Sequence, residues 1–232
     1  MRNVMLITGT RKGIGKYLAD YYAQRDFTVI GCSRGGVGQR QSGYEHYCVD
    51  VAEEEAVCNM VQDVVARHGH IDVLINNAGV ASMNHLLLTP VSTVEKILGT
   101  NVVGTFLMVR EVAKAMVRQK SGRIVNFATV ATPLKLEGEA IYAASKAAVH
   151  SLTETMAREL APYRITVNAV GPTPVATDLI RSVPREKIND LIARQAVKRL
   201  GEFRDISNVI DFFIRGESDF VTGQVVYLGG IS

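Results

Sequence analysis

The chain has 232 residues, 47% hydrophobic and 21% charged, and its 26 basic against 23 acidic side chains leave a net charge of +3. That length suits a single large α/β domain over residues 1–232, and a small charge surplus without basic blocks argues against nucleic acid. No stretch of eighteen apolar residues offers a membrane span. The three cysteines form no CxxC pair and the five histidines are scattered, so no metal site is expected and the thiols of Cys32 and Cys48 are read as buried and reduced.

In chain order, Val4–Thr8 reads as a first strand. Met1–Thr8 carries one positive charge and runs at once into a glycine turn, unlike a cleavable signal, so a cytoplasmic location is expected. Thr8-Gly-Thr-Arg-Lys-Gly-Ile-Gly15 then opens a helical Lys16–Ala23. A strand, a glycine turn and a helix N-terminus together make an anion site, because backbone N–H groups and the helix dipole face one point. The second strand, Phe27–Cys32, ends without a carboxylate at Gly31-Cys-Ser-Arg34. Ser33–Glu45 holds four glycines and little apolar periodicity, which predicts a loop where a crossover helix is usual.

His46–Val49, Val73–Asn76, Arg123–Ala128, Ile165–Val170 and Gln224–Leu228 complete seven predicted strands, and the patterns Val91–Gln119 and Glu139–Tyr163 predict two long helices. Several strands are almost wholly apolar, as strands covered on both faces should be. The expected architecture is therefore a Rossmann-type, doubly wound parallel sheet in a three-layer α/β/α fold. Asp178–Arg199 is helical in pattern but carries Pro184 and comes after Pro172-Thr-Pro174, so it reads as an excursion that covers a ligand.

Tyr142 and Lys146 stand four residues apart and so share a helix face. A phenol trades protons near neutral pH only if its anion is stabilised, and a neighbouring ammonium does that.

Taken together, the motifs resemble the short-chain dehydrogenase/reductase family. Its TGxxxGxG pattern matches Thr8 to Gly15, Asn76-Asn-Ala-Gly79 follows the fourth strand, and Asn101 lies in the next helix. Thr129 stands thirteen residues before Tyr142 of the YxxxK pair, and Asn168–Thr177 takes the place of the motif after the sixth strand. The resemblance spans Thr8 to Gly230. It implies hydride transfer between a nicotinamide cofactor and a carbonyl or alcohol. Tyr142 would give the proton, Lys146 would lower the phenol's pKa and hold the nicotinamide ribose, Thr129 would orient the substrate oxygen, and Asn101 would position a relaying water.

For the cofactor, the resemblance implies contacts from Gly9, Arg11, Lys12, Gly13, Ile14 and Gly15 in the loop and from Ser33 and Arg34 after the second strand. Asp50 and Val51 would meet the adenine, and Asn77, Ala78 and Gly79 the adenosine ribose. Pro172, Thr173, Val175 and Thr177 would lie at the nicotinamide, beside Tyr142 and Lys146. An acidic residue after the second strand takes the ribose hydroxyls of NAD, whereas basic residues accept the 2′-phosphate of NADP. Lys12 and Arg34 occupy those positions, so NADP(H) is expected. Two residues depart from the family pattern: Thr173 replaces the usual glycine and Thr129 the usual serine.

Within the family, Lys198–Ile206 and Val221–Gly230 most resemble the 3-oxoacyl-thioester reductases, which act on acyl carrier protein. Lys114, Arg118, Lys120 and Arg123 are expected beside the site, where they could meet an acidic carrier or simply form a solvated helix end. Reduction of a free ketone, sugar or cyclic alcohol is the rival enzyme reading, and a non-catalytic NADP(H) sensor is the rival from another class. The resemblance also implies a homotetramer or homodimer packed through the two long helices.

Overall fold

The computed structural model describes residues 2–38, 42–176 and 184–231. Seven parallel strands form one sheet: β1 (Asn3–Thr8), β2 (Phe27–Ser33), β3 (Tyr44–Cys48), β4 (Val73–Asn76), β5 (Gly122–Phe127), β6 (Ile165–Gly171) and β7 (Val225–Tyr227). Their order is β3-β2-β1-β4-β5-β6-β7. This is the expected Rossmann-type α/β domain.

On one face, the helices α2 (Glu54–His68), α4 (Gly104–Gln119) and α6 (Ala140–Leu160) close a core that includes Leu6, Val57, Met108, Ile124 and Met156. On the other, α1 (Gly13–Ala23) and α8 (Phe203–Ile214) bury Met5, Ile7, Tyr22, Ile75 and Phe213. β1, β4, β5 and β6 are buried along nearly their whole length, which is why they read as continuous apolar runs. α2 begins with Glu54 and Glu55 and ends with Arg67 and His68, charges that oppose the helix dipole, and it stops at Gly69 with φ of 82°.

The link from β2 to β3 contains no helix among its described residues, as the glycines implied. β3 starts two residues earlier than expected and pairs Tyr44–Cys48 with Val29–Ser33. It is the edge strand, so its side chains are only partly covered. Cys48 is consequently exposed, and only Cys32 of the strand thiols is buried.

The predicted helix over 91–119 is interrupted. α3 (Val91–Leu98) passes into a π turn at Gly99–Val103 before α4 begins. The apolar spacing continues across the extra residue, which hides it from periodicity. The second long helix holds as α6, followed by a short 3-10 turn at Ala161–Tyr163. In the segment expected to cover a ligand, α7 spans Arg185–Arg194; residues 178–183 of that segment lie outside the described residues.

The basic group needs correction. Arg123 lies near the start of β5, opposite Val73 and Thr166, whereas Thr129 lies past the strand's far end. At about 3.3 Å per residue the two are roughly 20 Å apart along the sheet. α4 runs back from the site, so its C-terminal Arg118 and Lys120 share the remote end, and Lys114 is tied to the buried Glu111 by ion pairs of 2.7–2.8 Å. Proximity in sequence to β5 does not say which end of the strand a residue occupies.

Candidate active site

The sheet order reverses between β1 and β4, and the loops that leave the C-terminal ends of these strands frame a crevice, the place where open α/β sheets bind ligands. After β1, the main chain turns through Gly9 at φ of 75° and Gly13 at 59° into α1. Asn77 and Ala78, after β4, hold this turn from the side. Asn77 Nδ2 donates to the Thr8 and Gly9 carbonyls at 2.9 and 3.3 Å, and the Ala78 N–H donates to Thr8 Oγ1 at 2.9 Å. A Cβ on Gly9 would lie 2.9 Å from the Ala78 Cα, and one on Gly15 would lie 2.3 Å from the Gly9 carbonyl oxygen. Two of the three glycines are thus required by the packing of the loop itself.

Gly13, Ile14 and Gly15 form the first turn of α1, which has no acidic residue, while Lys12 precedes it with an extended backbone. Arg11 reaches across to the end of β2, its Nη1 3.3 Å from where a Cβ on Gly35 would stand. Arg34 is exposed on the same turn, between the partly buried Ser33 and Gly35. Asp50 Oδ1 accepts from the Ala52 N–H at 3.1 Å, which fixes the turn after β3. Val51 is buried against Gly104 at the start of α4.

The residues expected to act on the substrate lie beyond β4, β5 and β6. Lys146 is buried and its Nζ donates to the Phe127 carbonyl at 2.7 Å. Burial lowers its pKa from 10.5 to about 8. Tyr142 lies one turn earlier on α6, partly buried, with the Thr129 hydroxyl beside its phenol. That phenol is pushed up to about 12, chiefly by burial, with the Thr129 hydroxyl lowering it and the Glu139 carboxylate raising it further; Lys146, expected to lower it, does not, because its ammonium is turned to the Phe127 carbonyl. Glu139 is itself raised by burial, against the opposing charge of Lys187 in α7. Thr129 also accepts from the Ala131 N–H at 3.3 Å, so the hydroxyl is held at the mouth of β5.

Asn101 sits in the π turn and is fully buried. Its amide exchanges two hydrogen bonds with the backbone of Val80, at 2.8 and 2.9 Å, and donates to Ser145 Oγ at 3.0 Å. Ser145 in turn donates to the Tyr142 carbonyl at 2.7 Å. The extra residue of the π turn carries Asn101 into this position, and Thr105 caps its carbonyl at 2.8 Å. Gly79 completes the group, since a Cβ there would stand 3.4 Å from Asn101 Oδ1 and 3.5 Å from Lys146 Nζ.

Sequence reasoning missed Ser145 and Glu139. Ser145 is one residue before the lysine of the motif, and its helical spacing from Tyr142 was the available signal. A buried chain below them also passed unnoticed: Asn76 donates to Asn126 and Asn126 to Thr153, each at 2.9 Å, which locks α6 to the sheet.

After β6, the Pro172 carbonyl accepts from the Val130 N–H at 3.4 Å, joining this loop to the Thr129 loop. Thr173 is buried and is absent from the positive-φ residues, so its backbone needs no glycine. The space comes instead from Gly201 and Gly229, whose Cβ positions would fall 2.8 and 2.9 Å from the Thr173 side chain. Val175 bridges to Gly201 and packs in the core beneath the crevice. Thr177 lies outside the described residues. Arg194 of α7 donates to the Leu134 carbonyl at 2.7 Å, tying that helix to α5 (Ala131–Leu134), the single helical turn after Thr129.

A family model for short chain dehydrogenase matches residues 3–188. The chain belongs to that family. It is 32% identical to a 3-oxoacyl-acyl-carrier-protein reductase of Staphylococcus epidermidis over 99% of this chain and 98% of that protein. The structure of ElxO with NADP bound has a TM-score of 0.90 and 29% identity, covering 98% of this chain and 97% of that one. The ligand-free aldohexose dehydrogenase of Thermoplasma acidophilum has a TM-score of 0.89 and 26% identity, covering 99% and 94%. The chain described here is thus a short-chain dehydrogenase/reductase oxidoreductase in a Rossmann-type frame.

Proposed function

We propose that the chain is a single-domain, NADPH-dependent reductase that converts a 3-oxoacyl thioester to the 3-hydroxyacyl thioester. The observation that carries the proton step is the phenol of Tyr142, pushed up to about 12 and set beside the Thr129 hydroxyl at the mouth of β5. A group with that pKa keeps its proton at neutral pH and can give it to an oxygen that is becoming an alkoxide. The identity to a 3-oxoacyl-acyl-carrier-protein reductase supports the substrate class.

The crevice suits NADP(H). Arg11 and Arg34 converge on the turn after β2, where no carboxylate stands, and the first turn of α1 offers backbone N–H groups to a pyrophosphate. Gly9 to Gly15, Ser33, Asp50 and Asn77–Gly79 would line the adenosine half, and Pro172–Thr177 the nicotinamide half. When bound, the reduced nicotinamide supplies the hydride.

The chain's own groups then handle the proton and the position. Thr129 Oγ1 and Tyr142 Oη, side by side, hold the carbonyl oxygen between them. Tyr142 releases its proton to that oxygen. Lys146, with a pKa of about 8, exchanges protons readily at neutral pH and recharges the phenol. Asn101 holds the Val80 backbone and Ser145, and with them the base of the relay.

An acidic acyl carrier is proposed to dock at the site end rather than at the remote Lys114–Arg123 group. Lys135, Arg185, Lys187, Arg194 and Lys198 are exposed there, in and around α7. We further propose a cytoplasmic homotetramer or homodimer; partly exposed Leu98, Val103 and Phe106 along α3 and α4 supply an apolar outer face for it. Among the described residues, no helix is long and apolar enough to cross a membrane.

The test is NADPH oxidation with an acetoacetyl thioester, followed by fluorescence, and its abolition in Tyr142→Phe. Turnover of free aldoses but not of the thioester would replace this substrate with a sugar, the reading favoured by the aldohexose dehydrogenase likeness. NADPH binding without turnover of any carbonyl would leave a sensor.

A further inference from the structure

A chain of polar side chains runs beneath the turn that presents Arg34, and the hydride chemistry does not use it. Thr10 Oγ1 lies 2.8 Å from the Tyr44 hydroxyl, which lies 2.7 Å from His46 Nδ1. The other ring nitrogen, Nε2, is 3.2 Å from both Ser33 Oγ and the Gly35 carbonyl oxygen. Ser33 Oγ donates to that same carbonyl at 2.8 Å.

The directions of these bonds are set by the groups. A carbonyl only accepts, and the one hydroxyl hydrogen of Ser33 is already given to it, so Nε2 carries the ring hydrogen. In the neutral ring Nδ1 then accepts from Tyr44, whose oxygen lies against Thr10 Oγ1, a hydroxyl that also donates to the Cys32 carbonyl at 3.4 Å. One imidazole edge therefore grips the residues on both sides of Arg34, and the opposite edge is anchored to the glycine loop. β2 makes room for the link: a Cβ on Gly31 would fall 1.9 Å from the Tyr44 hydroxyl and 2.6 Å from Thr10 Oγ1.

The grip matters because two glycines come directly after Arg34. Gly35 and Gly36 are the least constrained residues the chain could place there, and their freedom must be lost whenever Arg34 is held in one position. We propose that His46, oriented by Tyr44 and Thr10, is a positioning residue for the 2′-phosphate of NADP(H): it fixes the Ser33–Gly35 turn so that Arg34 and Arg11 are set before the cofactor arrives. This rests on the reading that Arg34 meets that phosphate. The chain thereby couples cofactor preference to β3, a strand that does not touch the nicotinamide chemistry.

NADPH and NADH, which differ only by that phosphate, separate this role from general support of the fold. Calorimetric titration of His46→Ala is expected to show NADPH binding weakened about tenfold, the freedom of one or two backbone residues, with NADH affinity within about twofold of wild type. Tyr44→Phe, which keeps the ring and removes the orienting hydroxyl, is expected to weaken NADPH in the same selective sense. Equal weakening of both cofactors, or none of either, in both variants overturns the inference. Arg34→Ala distinguishes the layers. If it weakens NADPH while His46→Ala and Tyr44→Phe do not, the positioning role alone falls; if Arg34→Ala leaves NADPH affinity intact, the phosphate contact is elsewhere and the inference falls with it.

Discussion

Lys146 makes its charge at the expense of the fold, and removing it should therefore stabilise the protein while abolishing activity. Its ammonium is buried, and burial displaces its pKa from 10.5 to about 8. At about 1.4 kcal/mol per pH unit the gap between these values is about 3 kcal/mol of penalty, fully present below pH 8. The folded pKa is the lower one, so the unfolded chain binds more protons between pH 8 and 10.5, and wild-type stability must rise with pH across that window. Lys146→Met keeps the length of the side chain and removes both the charge and the bond to the Phe127 carbonyl, a loss of about 1 kcal/mol. The variant is expected to exceed wild type by about 2 kcal/mol at neutral pH, with the margin shrinking and changing sign towards pH 10.5. Urea unfolding of the cofactor-free proteins at a series of pH values gives both curves. A variant less stable than wild type at neutral pH, or a margin independent of pH, would refute the account of a charge held against desolvation.

The same geometry sets other outcomes. Thr129→Ala removes the bond that restrains the phenol, so the Tyr142 pKa should climb further and kcat fall roughly 100-fold, whereas Thr129→Ser should stay within about tenfold of wild type in the NADPH oxidation assay. Gly15→Ala would drive a Cβ to 2.3 Å from the Gly9 carbonyl oxygen; a loss of about 2 kcal/mol by urea unfolding and at least a tenfold loss of NADPH affinity by calorimetry are expected. Asp211→Ala removes the acceptor of two hydroxyls, those of Tyr21 and the buried Tyr22, each 2.7 Å away. About 2–4 kcal/mol of stability should be lost by the same measure, with kcat of the folded enzyme unchanged because the triad joins α1 to α8 away from the crevice.

What could be read in the sequence was what depends on short spacings. The glycine loop, the Tyr142–Lys146 pair and the alternation of strands are local patterns, and local backbone geometry realises them directly. Asn101 reads as part of a helical stretch, but the π turn that aims it does not show, because one inserted residue barely disturbs an apolar period. The Asn76–Asn126–Thr153 chain escapes notice because a hydroxyl or amide on a buried face announces itself only through partners far away in sequence, and Ser145, whose spacing from Tyr142 is local, gains its role from the distant Asn101. The same blindness puts Lys114–Arg123 at the wrong end of the sheet and makes Cys48 a buried thiol, since nothing local marks β3 as an edge. Thr173 shows the converse. Its departure from the family glycine looks like a backbone restriction, and the structure instead moves the missing volume to Gly201 and Gly229.

The π turn at Gly99–Val103 sets a rule of length rather than of composition. An α-helix advances about 100° with each residue, and the π turn takes up one extra residue without passing that rotation on, so deleting a single residue inside Gly99–Val103 would let the turn relax to ordinary helix with α3 and α4 still in phase. The bulge that carries Asn101 to the Val80 loop would be lost, while the helices around it stayed where they are. Substitutions that keep the apolar outer face of this segment are tolerated, but the residue count of the turn cannot drift. A homologue with one residue fewer there would have to hold the Val80 backbone and Ser145 with some other side chain.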